Sequence, residues 1–336
     1  MASSDLFNAL LRSNNNANTL VLDGGLATAL ESRGHNLNHK LWSAKVLRED
    51  PEAIRHVHRD YYLAGADVAI TVSYQASVRA LQEYVGSDIT QAKQLIHDSA
   101  RLALQARDEV ASGELGRKMF VAGSVGPYGA YLANGAEYTG DYGSITMREL
   151  KDFHRERIST LLDAGVDVLA CETFPNALET RALCSLLQDE FPKAHAWLSF
   201  TLKDAQHLSD GTSIQEVAET VNSCDQIVAV GFNCIALELA TGALSHLRQF
   251  STKPLVVYPN SGEKWDGVKK EWYGKTGALK QLPHLASEWK QAGARLVGGC
   301  CRTGFEDITM IGQACPYIQV ESGFVGPHGR GMQPPS

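Results

Sequence analysis

Residues 160–173 read TLLDAGVDVLACET. A helical stretch runs into Gly165, and an apolar run rich in β-branched residues follows at once. Glycine ends helices readily in the left-handed conformation, so the segment reads as helix, tight turn and buried strand. The pattern recurs as YYLAGADVAITVS at 61–73 and as EWKQAGARLVGGCC at 288–301. Five more short apolar runs fill out the series: TLVLDGG from 19, KMFVAGSVG from 118, AWLSFTL from 196, QIVAVGFNC from 226 and PLVVYPN from 254. All eight are nearly continuous in apolar residues instead of alternating, as strands covered on both faces are. Helical stretches separate them. DPEAIRHVHRDYYLAG begins with an Asp cap and Pro51 at the first helical position, while SITMRELKDFHRERISTLLDAG and TSIQEVAETVNS also open on capping residues. Eight strands alternating with helices over about 300 residues predict an α/β fold, a single (β/α)8 barrel of the TIM type. A doubly wound sheet is the other solution, but no G-x-G-x-x-G follows the first strand.

The 336 residues, 44% hydrophobic and 21% charged, suit one such barrel and contain no linker-like stretch. A net charge of −7 argues against a general nucleic-acid or membrane-surface partner. No apolar stretch approaches the ~20 residues that span a bilayer. The opening MASSDLFNALLRSNNNANT has no apolar signal core, and its single Arg and early Asp suit a transit peptide poorly. Residues 1–18 are therefore expected to be a short helix and polar lead-in to a cytoplasmic enzyme. The catalytic domain is expected over 19–325 and a flexible tail over 326–336. Seven cysteines in a chain of this length do not resemble a disulfide framework. Cys171, Cys184, Cys224 and Cys315 lie in or beside apolar segments and read as buried small hydrophobes.

Active sites of such barrels lie at the C-terminal ends of the strands. The unusual residues cluster there: Asp23-Gly24-Gly25 after the first strand, Glu172 after the fourth, Asn233-Cys234 after the sixth, Tyr258-Pro259-Asn260 after the seventh and Cys300-Cys301 after the eighth. Cys234 and Cys300 end alternate strands, which feed the same interior layer. Cys301 can join them only if the chain leaves strand geometry, because neighbouring strand residues face opposite ways. Gly298 and Gly299 before it, and Arg302-Thr303-Gly304 after it, are expected to allow that bend. Three thiolates suit zinc and disfavour magnesium or calcium, and three ligands leave one coordination place open. A vicinal disulfide, a redox thiol pair and two packed cysteines are the alternatives that spacing leaves open.

DGGLATALESRG, CETF, GFNC and GGCCRTG, in this order and at these strand ends, resemble the homocysteine S-methyltransferase family over residues 19–317. YPNSGEKWD at 258–266 is similar to the branch that uses S-methylmethionine or S-adenosylmethionine. The resemblance implies one zinc ion per chain on Cys234, Cys300 and Cys301. It implies that Asp23 and Glu172 bind homocysteine, with the backbone of Gly24 and Gly25 close to the amino acid and Asn233 and Tyr258 as further substrate contacts. It also implies methyl transfer from a sulfonium to the homocysteine thiol, giving methionine. Folate and cobalamin donors are not expected, since no added domains for them are read in the sequence, and without the C-terminal arm of betaine-dependent relatives a monomer or weak homodimer is expected.

A free thiol is mostly protonated at neutral pH, whereas a zinc-bound one is not, so no base histidine is required. His56, His58, His97 and His154 fall inside predicted helices, leaving His35 and His39 as candidates. Asp23 and Glu172 could instead cap the next helices, although Thr173 and Asn176 are available for the second. A sulfonium invites an aromatic face, for which Trp42, Tyr74, Tyr128, Tyr258 and Trp265 are candidates. The competing readings are a zinc hydrolase on the same barrel and a structural-zinc or thiol redox protein. The all-sulfur ligand set favours alkyl transfer to sulfur.

Overall fold

All eight apolar runs become strands of one parallel sheet in the computed structural model. It describes residues 3–12, 19–37, 41–113, 117–262, 264–266, 271–273 and 281–316. The strands are β1 (Leu20–Val21), β2 (Val68–Ile70), β3 (Phe120–Val125), β4 (Val168–Phe174), β5 (Ala196–Phe200), β6 (Ile227–Asn233), β7 (Leu255–Tyr258) and β8 (Ala294–Val297). Their order is β1-β8-β7-β6-β5-β4-β3-β2. The two ends of that series meet through a parallel bridge from Leu22 to Val68, flanked by Asp23 N donating to Val68 O at 3.0 Å and Asp67 N to Val21 O at 2.7 Å. The sheet is thus a closed (β/α)8 barrel. Two short antiparallel hairpins, Leu202–Asp204 with His207–Leu208 and Lys264–Asp266 with Glu271–Tyr273, follow β5 and β7.

The repeated Ala-Gly has the expected cause. Gly65, Gly165 and Gly293 end the helices Pro51–Leu63, Met147–Asp163 and Leu282–Gln291 with φ of 109°, 87° and 104°. Two of the repeats also carry an aspartate with a structural task. Asp67 accepts from Val21 N at 2.9 Å and Asp167 from Val121 N at 2.7 Å. Each satisfies a backbone donor of the preceding strand that would otherwise be buried unpaired. Helix starts are fixed as the sequence indicates, with Asp50 accepting from Ala53 N and a reciprocal Thr146–Glu149 cap.

The barrel interior is a compact apolar set including Leu22, Val68, Phe120, Ala122, Val168, Trp197, Val256 and Leu296. The expected N-terminal helix, Ser3–Arg12, completes this set. Its fully buried Phe7 packs edge-on against Phe120 at 5.2 Å and lies 6.5 Å from the Trp197 ring. Phe120 begins β3, so the helix plugs the N-terminal mouth of the barrel and leaves the opposite mouth for chemistry. Among the described residues no helix is long and apolar enough to cross a membrane. The segment 326–336, expected as a flexible tail, lies outside the described residues.

Candidate metal and substrate site

Strand residues two apart share a face. The inward series is apolar low in the barrel and polar at the C-terminal ends: Phe120, Ala122, Ser124 on β3; Val168, Ala170, Glu172 on β4; Trp197, Ser199 on β5; Val256, Tyr258 on β7. The polar ends hydrogen-bond to one another. Ser124 donates to Glu172 Oε1, and the Tyr258 hydroxyl donates to Glu172 Oε2 at 3.0 Å. Trp197 Nε1 donates to the same hydroxyl at 3.0 Å, and Ser199 Oγ lies 2.8 Å from it. Asn233 Oδ1 accepts from Thr173 N and Ser199 Oγ, both at 2.7 Å, and its amide donates to Thr173 Oγ1 at 2.8 Å. Asn233 and Tyr258, expected as substrate contacts, therefore sit in the mouth with their polar atoms tied to Thr173 and Glu172.

Asp23 and Glu172 are not helix caps. The helix Leu26–Ser32 has Gly25 at its cap with no side-chain bond, and Asn176 caps Ala177–Glu190 by accepting from Glu179 N. Asp23, 2% exposed, accepts from Ile70 N at 2.8 Å. Burial holds its carboxyl well above the usual carboxylate range, and the charge of Glu172 adds to the effect. Burial pushes Glu172 up to about 7, against the lowering hydrogen bonds from Ser124 and Tyr258. The two inward acids act on each other unfavourably, and Arg157 offsets Glu172 only in part, so the site suits a cation.

The three expected thiols converge. All seven cysteines are free, so Cys300 and Cys301 form no vicinal disulfide. The Sγ atoms of Cys234, Cys300 and Cys301 all lie within 4.8 Å of one another, with Cys234 and Cys301 3.7 Å apart. A tetrahedral ion with bonds near 2.3 Å needs sulfurs about 3.8 Å apart, so this set fits zinc with little rearrangement. Among the described residues no fourth Cys, His or carboxylate joins the group. Hydrogen bonds from Cys300 and then Cys301 hold the Cys234 thiol well below its ordinary value, at the expense of its two partners, which are pushed up.

Of the two flanks expected to allow the bend at Cys301, the one after it supplies the turn. Neither Gly298 nor Gly299 has a positive φ; Arg302 does, at 65°. Thr303 N donates to Cys300 O at 3.2 Å, closing a β-turn over 300–303 with its left-handed residue third. The turn swings Cys301 back toward Cys300. The two glycines serve close packing instead. A Cβ on Gly298 would meet Leu22 Cβ at 2.6 Å, and one on Gly299 would meet Thr303 Oγ1 at 2.2 Å. Across the β1–β8 seam, a Cβ on Gly24 would meet the Tyr61 hydroxyl at 2.9 Å and one on Gly25 the Cys300 carbonyl at 2.6 Å.

Of the other candidates, Tyr74 hydrogen-bonds Thr173 and feels the charge of Cys234. Tyr128 belongs to a packing cluster with Tyr131, Tyr142 and Phe153 at 5.2–5.5 Å. His35 lies 3.8 Å from Asp50, outside the three-thiol group. His39 and the side chains of Trp42 and Trp265 lie outside the described residues. The sequence reading missed Tyr138, whose hydroxyl is 3.2 Å from Cys234 Sγ. It also passed over Ser124 and Ser199, although polar residues inside otherwise apolar strands were a usable signal.

A family model described as homocysteine S-methyltransferase matches residues 20–315 of this chain. The chain belongs to the homocysteine S-methyltransferase family. Within that family it is 52% identical over 293 residues to the homocysteine S-methyltransferase of Escherichia coli, covering 87% of this chain and 94% of the relative. It is 42% identical over 307 residues to the selenocysteine methyltransferase of Astragalus bisulcatus, covering 87% and 90%. Its structure is similar to the metallated form of the E. coli homocysteine methyltransferase MmuM, with a TM-score of 0.80 at 49% identity, covering 88% of this chain and 96% of that one. The chain is thus a methyltransferase acting on small molecules.

Proposed function

We propose that this enzyme transfers a methyl group from a sulfonium donor, S-methylmethionine or S-adenosylmethionine, to the thiol of homocysteine, with one zinc ion per chain on Cys234, Cys300 and Cys301. The observation that carries the reading is the convergence of three thiols at the barrel mouth beside two buried acids. The soft ligand set suits zinc, and a relative's structure is titled as metallated. When bound, zinc supplies the Lewis acidity that keeps a thiol deprotonated at neutral pH.

The protein's own residues do the rest. Asp23 and Glu172 take the α-ammonium of homocysteine, whose charge relieves their burial. Tyr258 and Ser124 fix the Glu172 carboxylate, while Asn233 fixes Thr173 beside it. In this reading Asn233 and Tyr258 serve the substrate through those neighbours, and Gly24 and Gly25 bring β1 close enough to do the same. The substrate sulfur attacks the methyl carbon, and the old carbon–sulfur bond breaks with its electron pair passing to the donor sulfur. The donor leaves as a neutral thioether. The homocysteine thiol gives up its proton to solvent before that step, so none moves during the transfer and the mouth needs no base. The proposed catalytic unit spans residues 19–325 and acts as a cytoplasmic monomer or weak homodimer.

The deciding experiment is a donor comparison: zinc-loaded protein and homocysteine with each sulfonium in turn. Methionine formation is expected with at least one donor, and its absence with both would overturn the reading.

A further inference from the structure

The loop after β3 folds over the thiols, and it carries a residue at odds with its surroundings. Beside Tyr138, which contacts Cys234, Glu137 has a buried Oε2 with no hydrogen-bond partner among the described residues. An unpaired buried acceptor is costly, and natural structures tolerate few of them without a reason. The turn that holds it is rigid. Gly135 opens it with φ 86°, and Thr201 Oγ1 donates to the Glu137 carbonyl at 2.9 Å. Gly129 lies so close that a Cβ there would meet Glu137 N at 2.5 Å. The backbone thus fixes where the Glu137 side chain starts, although the residue as a whole is only partly buried.

The neighbours are acidic or neutral. Glu137 feels the Cys234 thiol, and Tyr74 feels both of them while hydrogen-bonding Thr173. Glu137, Tyr74, Thr173 and Cys234 therefore border one region of the mouth. Asp23 and Glu172, which act on each other electrostatically, already provide for one ammonium group. A third acid beside the thiols calls for a second cation.

We infer that Glu137 is the specificity-determining contact for the positive charge of the methyl donor, with the Tyr74 ring beside it. The inference rests on the methyl-transfer reading. It also gives the reaction a direction: the sulfonium is attracted before transfer, and the neutral thioether formed from it is not held afterwards.

Glu137→Gln keeps the shape and removes the charge, and because the lost charge is unpaired, thermal stability should not fall. Isothermal titration of zinc-loaded protein with S-methylmethionine, and separately with methionine, which lacks only the sulfonium charge and its methyl group, measures preference for the sulfonium without turnover. Wild type should favour S-methylmethionine, and Glu137→Gln and Glu137→Ala should each reduce that preference about tenfold. The donor KM should rise by a similar factor, while homocysteine affinity and zinc content stay within twofold of wild type. An unchanged preference in both variants, or an equal loss of homocysteine affinity, would overturn the inference. Failure of wild type to turn over with any sulfonium would instead bring down the methyl-transfer reading beneath it.

Discussion

Asp23 and Glu172 are destabilising in the empty site, and that cost is the basis of their use. Glu172 has a pKa near 7 in the folded chain against 4.5 for an unburied carboxyl, so the folded state holds the proton more tightly. The stability it contributes is complete below about pH 4.5 and is lost as pH rises through about 7, a swing of roughly 3 kcal/mol. Glu172→Gln should therefore flatten the pH dependence of chemical denaturation in the metal-free protein and raise its stability at pH 8. An identical slope between pH 5 and 8 would mean the carboxyl is not buried in solution. Asp23→Ala and Glu172→Ala should each weaken homocysteine binding about tenfold or more by calorimetry while leaving the metal in place. Unchanged affinity in both would show that the ammonium binds elsewhere. The thiols behave oppositely: Cys234→Ser, Cys300→Ser or Cys301→Ser should each lower zinc content and abolish turnover. Cys184→Ser, on the helix Ala177–Glu190 of the outer layer, should leave both unchanged. Full zinc occupancy in the three site variants would remove the metal assignment.

At the scale of elements, the site depends on how strands end. Three non-glycine residues with positive φ lie at or just past the ends of β4, β6 and β8: Thr173 at 67° after Glu172, Cys234 at 53°, and Arg302 at 65° after Cys301. Such backbone is strained and gathers where a functional geometry demands it. None of this is legible in the sequence, because residue type does not encode a left-handed threonine or cysteine. The same limit explains why Gly298 and Gly299 were expected to share the bend with residues 302–304, when the left-handed residue is Arg302. What could be read followed from pattern: helix-ending glycines, continuous apolar runs, and polar letters at the ends of CET, FNC and VVYPN. Tyr138 and Glu137 were hidden because only tertiary contacts with Gly129 and Thr201 bring their loop over the thiols. The β1–β8 seam offers a test. Gly25→Ala puts a methyl against the Cys300 carbonyl, so it should alter the thiolate-to-metal absorption of the cobalt-substituted protein while all three ligands remain. A wild-type spectrum would mean that the seam does not set the ligand geometry.

Across the whole molecule, the two mouths of the barrel have separate tasks. At the upper end, a buried Arg157–His154–Glu179 cluster pins the loops after β2 and β3. Arg157 donates to the carbonyls of Tyr74 and Gly126, and Glu179 accepts from Tyr128 N and the Tyr142 hydroxyl. Charge buried in the helix layer thus holds the loops that carry Tyr74 and Tyr138. At the lower end, the plug is purely apolar. The helix carrying Phe7 was visible in the sequence, but its role was not, since nothing local in SSDLFNALLR says which cavity its aromatic ring fills. Phe7→Ala leaves a void against Phe120 and Trp197 and should cost about 3–5 kcal/mol. Trp197 links the ends: it lies against Phe7 below and donates to the Tyr258 hydroxyl above. If the barrel core is as closely packed as its burial indicates, Trp197 has no room to follow the void, and the Tyr258–Glu172 bond survives. The variant should then show a lower thermal midpoint with zinc content and homocysteine affinity unchanged at 25 °C. A loss of homocysteine affinity in the folded variant would show that Trp197 transmits the defect through the barrel, and the two mouths would have to be treated as coupled.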